Sequence, residues 1–99
     1  MAFVSFRRYE VDPANVSKIV QLVQDGFVPI MKSSPGFIAY RAIDAGDGVI
    51  ASISVFEDQA GVEQSDSKAA SWVKENLAGL ITTPPNITAG QVVVSETAD

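Results

Sequence analysis

The chain has 99 residues, enough for one domain, and we expect residues 1–99 to form that single domain. It lacks both cysteine and histidine, which excludes disulfides, thiolate nucleophiles and the Ser-His-Asp or Cys-His arrangements, and removes the usual metal and haem ligands. The net charge is −5 and no basic residues cluster, so we expect no nucleic-acid partner and no binding to an anionic membrane.

A strand followed by a helix is predicted for the first third of the chain. Residues 2–10 are apolar and aromatic with features of a two-residue period, and Asp12-Pro13 is a favourable helix start. Gly26 and Pro29 weaken the second half of that helix and predict a kink. Its apolar face recurs at three- and four-residue spacing, through Val16, Ile19, Val20, Val23, Phe27, Ile30 and Met31.

A hairpin is predicted for the middle of the chain. Pro35-Gly36 turns the chain into a strand over 37–44, and a second strand returns over 49–56. The residues between them, 45–48, include two glycines that accept a positive φ, as a tight turn requires. The apolar fraction of 46% is high for a small protein, and much of it lies in these strands.

A second helix and a last strand complete the pattern. Asp58 can cap the helix, whose buried face carries Val62, Ala69 and later apolar residues. Ser65-Asp66-Ser67 is a poor helix former and predicts a break there. The last strand is predicted over 87–95.

The order of elements, β-α-β-β-α-β, predicts an α+β fold. Two right-handed crossovers around a central hairpin give a ferredoxin-like sandwich, with an antiparallel four-stranded sheet and both helices on one face.

The sheet face that the helices leave uncovered is expected to mix apolar and polar residues. We place Val4 and Phe6 of the first strand on the side that faces the helices. In the third strand the same side carries Val49, Ala51, Ile53 and Val55. The alternation leaves the second strand unassigned, since either its odd or its even residues could face the helices. Such a mixture suits a face covered by another sheet, with a semi-polar cavity between; the alternative is a partly solvated sheet. The open face would then carry Phe3, Ser5, Arg7, Tyr9, Ile50, Ser52, Ser54 and Phe56, together with Gln91 and Val93 of the last strand.

The chain resembles the dimeric α+β barrel superfamily, and within it the antibiotic-biosynthesis-monooxygenase-like domains. The resemblance covers nearly the whole chain and depends on the element order, on Ser34-Pro35-Gly36-Phe37 after Pro29, and on the segment 54–58, Ser-Val-Phe-Glu-Asp. It implies a homodimer whose two sheets pack face to face. For some members it also implies cofactor-independent oxygenation of aromatic polyketide-like substrates, or oxidative haem breakdown.

Two departures from the family bear on activity. Many relatives carry Trp at the end of the third strand, where this chain has Phe56, and many carry a histidine on the second helix. Haem-degrading relatives use a histidine as iron ligand, so we do not expect that activity here.

Candidate ligand-binding residues come from the chemistry that remains. The arginines could stabilise an anion formed on the substrate, or could simply pair with neighbouring acidic residues. The tyrosines could donate a proton, or could be strand aromatics whose hydroxyls lie at the rim of the sheet. Trp72 and Asn76 share a helix face and could both line the cavity. Alternatively, Trp72 is a core residue and Asn76 is solvated. The candidate substrate-binding set is Arg7, Tyr9, Tyr40, Ser52, Ser54, Trp72 and Asn76, with no catalytic residue assigned.

Two functions are consistent with the sequence. One is a small monooxygenase-like protein without metal or organic cofactor that acts on, or binds, an aromatic or apolar molecule in the barrel. The other is a non-catalytic dimeric module for small-molecule or protein binding. The N-terminus lacks a signal-peptide pattern and no apolar run approaches the ~18 residues of a membrane span, so we expect a cytoplasmic protein. The third strand lacks the aromatic pattern of RNA-recognition domains.

Overall fold

The computed structural model describes residues 2–98 and shows one antiparallel four-stranded sheet in the order β2-β3-β1-β4. The predicted α+β, ferredoxin-like fold is confirmed. The predicted single domain over 1–99 stays a prediction, and its two end residues lie outside the described ones. The strands are β1 (Phe3–Glu10), β2 (Phe37–Gly46), β3 (Val49–Phe56) and β4 (Asn86–Gln91). The helices are α1 (Val16–Leu22), α2 (Val28–Lys32) and α3 (Gln59–Asn76).

The first helical region is widened where the kink was predicted. A short 3-10 turn, Pro13–Asn15, is capped by Asp12, whose Oδ1 accepts from the Ala14 N–H at 2.9 Å. Between α1 and α2 lies a π-helical segment, Val23–Phe27. Pro29 has no N–H to donate to the preceding turn, and the wider π turn lets the helix continue around it.

Helix α3 is continuous, so the break predicted at Ser65-Asp66-Ser67 is wrong. Asp58 caps it by accepting from the Gly61 N–H at 2.8 Å. Ser65 is buried and its Oγ donates to the Val62 carbonyl at 2.9 Å, while Asp66 receives hydrogen bonds from side chains of β1. Tertiary contacts outweigh the low helix propensity of these three residues.

The assignment of the two sheet faces was wrong. Residues placed on the open face lie beneath the helices, as the 0–1% exposure of Ser5, Arg7 and Phe56 shows. The two-residue period separates the faces of a strand but does not say which one is covered. Arg7 can lie beneath the helices because a carboxylate on α3, Asp66, compensates its charge. The helix-facing side carries Phe3, Ser5, Arg7, Tyr9, Ile50, Ser52, Ser54 and Phe56.

The second strand turns its even residues toward the helices. Tyr40 pairs with Ser54 and Ala42 with Ser52, and both serines are buried. A register shift between Phe37 and Ala39 lets Phe37 also face inward, where its ring contacts Phe56 at a centroid distance of 5.8 Å. This register places Tyr40 beside the helices.

The uncovered face nevertheless carries exposed apolar residues, which are different from those predicted. Phe6, Ile38 and Ile43 are 36%, 50% and 47% exposed. Val4 and Val55 pair on the same face. The last strand ends at Gln91, four residues before the predicted end, and Val93 and Val94 lie beyond it with 75% and 85% exposure.

Candidate functional site

A buried ion pair joins the central strand to α3. Arg7 is 1% exposed, and its Nη1 donates to Asp66 Oδ1 at 2.7 Å. The same oxygen accepts from Ser5 Oγ at 2.5 Å, and Arg7 Nη2 donates to Ser54 Oγ at 2.9 Å. Buried charges require this kind of pairing, because an isolated one would cost far more than the chain's marginal stability allows.

The Arg7 guanidinium retains one donor without a partner. Its Nε is buried and forms no hydrogen bond with any of the described residues. Its carbon atom Cζ lies 6.0 Å from the centre of the Phe27 ring. An unsatisfied buried donor costs about 1–3 kcal/mol, so an acceptor that enters the site and reaches this N–H would gain a favourable hydrogen bond.

A cavity of about 670 Å³ lies between the helices and the sheet. Its volume falls within the range of small-molecule sites. Gln24, Lys32 and Arg41 are exposed and contribute to the lining, so the cavity opens to solvent beside them. The inner lining is largely apolar, with a few polar groups, and includes Arg7, Tyr9, Phe27, Tyr40, Ser52 and Trp72.

Three aromatic rings form one wall of the cavity. Phe27 contacts Tyr40 edge-on with ring centres 5.6 Å apart, and contacts Trp72 at 5.5 Å. Gly26 makes room for Trp72, since a Cβ at this position would lie 2.9 Å from Trp72 Cζ2. The π-helical segment therefore presents a glycine and a phenylalanine to the indole, and this wall offers aromatic surface to a flat ligand.

The two tyrosines at the cavity are held in the neutral form. Burial raises the pKa of the Tyr9 phenol, and the nearby positive charge of Arg7 opposes that rise. Burial likewise raises the pKa of Tyr40, again with Arg7 acting in the opposite direction. At neutral pH both phenols therefore carry their protons and can donate them to a ligand oxygen.

We expect tyrosinate absorbance to appear only above pH 10, because Tyr9 and Tyr40 are the only tyrosines in the chain. Their raised pKa also means that the unfolded chain ionises first. The stability that the neutral phenols provide is therefore present below pH 10 and is lost as the pH rises through the folded-state pKa. A spectrophotometric titration checks this, with Y9F and Y40F assigning the steps. A midpoint below 10 in the folded protein would contradict it.

Of the seven candidate residues, five contribute to the cavity lining: Arg7, Tyr9, Tyr40, Ser52 and Trp72. Ser54 lies behind them as an acceptor for Arg7. Asn76 is exposed, donates to the Trp72 carbonyl at 2.9 Å and lies outside the lining. The sequence predicted those from the first and third strands on the face that the helices leave uncovered, with a cavity closed by the second predicted helix or by a partner segment; because the strand faces are reversed, they lie beneath the helices instead. The role of these residues in binding stays a prediction.

Asp66 and Phe27 are site residues that the sequence analysis missed. Asp66 follows the buried Val62 by four residues and precedes the buried Ala69 by three, so it lies on the apolar face of α3. A carboxylate in an apolar stripe was the available signal that a cation lies opposite. Phe27 was assigned only to the helix face that packs on the core.

Within residues 2–98, no group of three or more acidic, histidine or cysteine side chains is arranged to hold a metal ion. No helix in the same range has both the length and the apolarity needed to cross a bilayer.

No protein-family model matches the chain, and no curated protein matches it. Several solved structures do match the chain. A protein of unknown function from Nitrosomonas europaea is 22% identical with a TM-score of 0.79, covering 99% of this chain and 95% of its own. A monooxygenase from the gene ActVA-Orf6 of Streptomyces coelicolor, solved with the ligand nanaomycin D, is 21% identical with a TM-score of 0.78, covering 99% and 93%.

A third structure, from Caulobacter crescentus and named for antibiotic biosynthesis monooxygenases, is 14% identical with a TM-score of 0.72, covering 94% of this chain and 91% of its own. At such identities the likeness concerns the backbone. The resemblance predicted from the element order and the Pro-Gly-Phe step is thus confirmed for the fold. The chain has the ferredoxin-like fold of the antibiotic-biosynthesis-monooxygenase-like proteins.

Proposed function

We propose that the chain binds a hydroxylated aromatic molecule in the helix–sheet cavity and oxygenates it with O₂, without metal or organic cofactor. The observation that carries the proposal is the cavity itself, whose lining combines an aromatic wall and two protonated tyrosines with Arg7, the buried Nε of which has no hydrogen-bond partner among the described residues. The similar Streptomyces coelicolor monooxygenase, solved with nanaomycin D, supports an aromatic ligand.

The proposed chemistry begins with loss of a proton from the ligand. This chain has no histidine, and Asp66 is engaged by Arg7 and Ser5. The substrate must therefore be acidic itself, as a methylene between aromatic rings that carry hydroxyl and carbonyl groups is. The resulting anion places negative charge on a ring oxygen, which Arg7 and the phenol of Tyr9 or Tyr40 would stabilise by hydrogen bonds that strengthen as charge develops.

The electrons for oxygen come from the substrate. The anion adds O₂ at the former methylene carbon and forms a peroxide. Loss of the second C–H proton and cleavage of the O–O bond leave a carbonyl and release water. The sum is R₂CH₂ + O₂ → R₂C=O + H₂O, which balances without an external reductant. A tyrosine that donates a proton to the leaving oxygen would assist the cleavage.

The direct test is oxygen consumption with an anthrone, which has the acidic methylene that this chemistry needs. We expect one O₂ consumed per ketone formed, with no hydrogen peroxide released. Y40F or Y9F should lower kcat by about tenfold or more, whereas N76A, an exposed position outside the cavity, should leave it unchanged. Binding of the anthrone without turnover would contradict the oxygenase and support the non-catalytic binding module.

We also propose that the chain works as a homodimer that buries the open face of its sheet. Phe6, Ile38 and Ile43 stay exposed in the single chain, on the face opposite the helices. They share it with partly buried Val4 and Val55. Large apolar side chains exposed on one sheet face of a small acidic protein are unfavourable in water, and a second sheet of the same kind would cover them. The proposal keeps the predicted assembly but replaces the residues predicted to form it.

F6D should dissociate this dimer, because an unpaired charge buried between two sheets costs several kcal/mol, or a weakening of about a hundredfold or more. Light scattering coupled to size exclusion measures the change, and A60D on the exposed side of α3 serves as a matched control. A wild-type chain that stays monomeric at micromolar concentration would refute the proposal. Phe56, which the strand pattern placed on this face, is fully buried beneath the helices and is unsuitable for the test.

A further inference from the structure

The cavity is lined by cations and by no carboxylate, although the chain is acidic. Twelve Asp and Glu residues against seven Lys and Arg residues give it a net charge of −5. None of the twelve contributes to the lining of the site cavity, which includes three of the seven cations: Arg7, Lys32 and Arg41. Acidic side chains near the entrance would repel an anion, so a cavity lined by cations and by no carboxylate suits a negatively charged ligand.

The charges divide between the interior and the entrance. Arg7, inside, is compensated by Asp66. Lys32 and Arg41 are exposed, and neither forms an ion pair within the described part of the chain. Arg41 contributes to the lining from the edge strand β2, where it is in register with Ile53 of the open face, so it lies at the border between the two faces of the sheet. Lys32, at the end of α2, is thus the uncompensated cation on the helix side of the entrance.

We infer that the aromatic ligand carries a carboxylate, which pairs with Lys32 at the entrance while the ring system enters toward Arg7. This inference rests on the proposed function, because it names the substrate class of the same site. The two polar ends have different roles. The interior Nε–H and the phenols donate hydrogen bonds to a ring oxygen, whereas the flexible ammonium of Lys32 holds a charged group that stays partly hydrated. A neutral aromatic of the same shape would lose the second contact.

The test compares two flat three-ring probes of equal shape, anthraquinone-2-carboxylate and its neutral carboxamide. Trp72 is the only tryptophan and lines the cavity, so quenching of its fluorescence reports binding. We expect the wild-type chain at low salt to bind the carboxylate about three- to fivefold more tightly, the size of an exposed ion pair. The preference should shrink as ionic strength rises, since a partly hydrated pair is screened.

K32Q should abolish the preference while leaving the affinity for the carboxamide unchanged. K18Q removes an exposed lysine from α1 outside the lining and should preserve the preference. Equal binding of both probes by the wild-type chain, or a preference that survives in K32Q, would overturn the carboxylate inference and leave the proposed function standing. Failure of both probes to quench Trp72, at concentrations where the chain stays folded, would count against the aromatic site itself.

Discussion

D66N will lower the free energy of unfolding by about 3 kcal/mol, the low end of what breaking a buried ion pair costs. The substitution removes the negative charge that faces Arg7 Nη1 at 2.7 Å and leaves the guanidinium, 1% exposed, without a counter-charge. The carboxylate is the more accessible partner, with 24% of its side chain exposed, so water relieves part of the penalty. Urea denaturation measures the change: the urea concentration at the unfolding midpoint should fall, while the dependence of the unfolding free energy on urea concentration stays the same.

Two further variants separate the ion pair from a general effect of charge on α3. E63Q removes an exposed carboxylate from the same helix and should change stability by no more than about 0.5 kcal/mol. The double variant R7M/D66L replaces both partners with apolar residues and should recover most of the loss, because neither charge is then left buried alone. A loss in D66N no larger than in E63Q would show that Asp66 does not hold Arg7.

G48A will destabilise the chain by about 3 kcal/mol, through the turn that joins β2 to β3. Asp47 and Gly48 have φ of +53° and +80°, as the two central residues of a type I′ hairpin turn require. A Cβ on Gly48 would overlap the carbonyl oxygen of Val11. That segment cannot retreat freely, because the Val11 N–H donates to the Gly48 carbonyl at 2.8 Å. Backbone strain and steric overlap therefore add.

G46A is the matched control for this prediction. Gly46 also has a positive φ, +86°, but no atom lies within 4 Å of the position that a Cβ would occupy. The free energy of unfolding of G46A should fall only by the cost of placing an alanine in a left-handed conformation, about 1–2 kcal/mol. Thermal or urea unfolding of the two variants measures the difference. Equal losses would mean that the contact with Val11 is of no consequence and that only backbone strain matters.

The order and type of the elements could be predicted from the sequence, because they depend on local chemistry. Asp12 and Asp58 have side chains that cap helix starts, and both do so here. The turn at 45–48 closes the hairpin because its residues tolerate positive φ. The antiparallel sheet and both crossovers then follow from connectivity alone. An interruption of the first helix near Pro29 was also foreseeable, since the missing N–H is a property of the residue.

Which face of the sheet the helices cover could not be predicted from local patterns, because it depends on contacts between residues distant in the chain. Both faces of β1 and β3 carry apolar residues, so the alternation was compatible with either choice. The face that the helices cover depends on Asp66, which lies 59 residues after Arg7 in the chain. Its negative charge compensates the buried arginine and so lowers the free-energy cost of burying it. The same contact keeps α3 helical through a poor helix-forming segment. It also places the tyrosines and Arg7 in a cavity beneath the helices, a location set by side chains that meet only once the chain has folded.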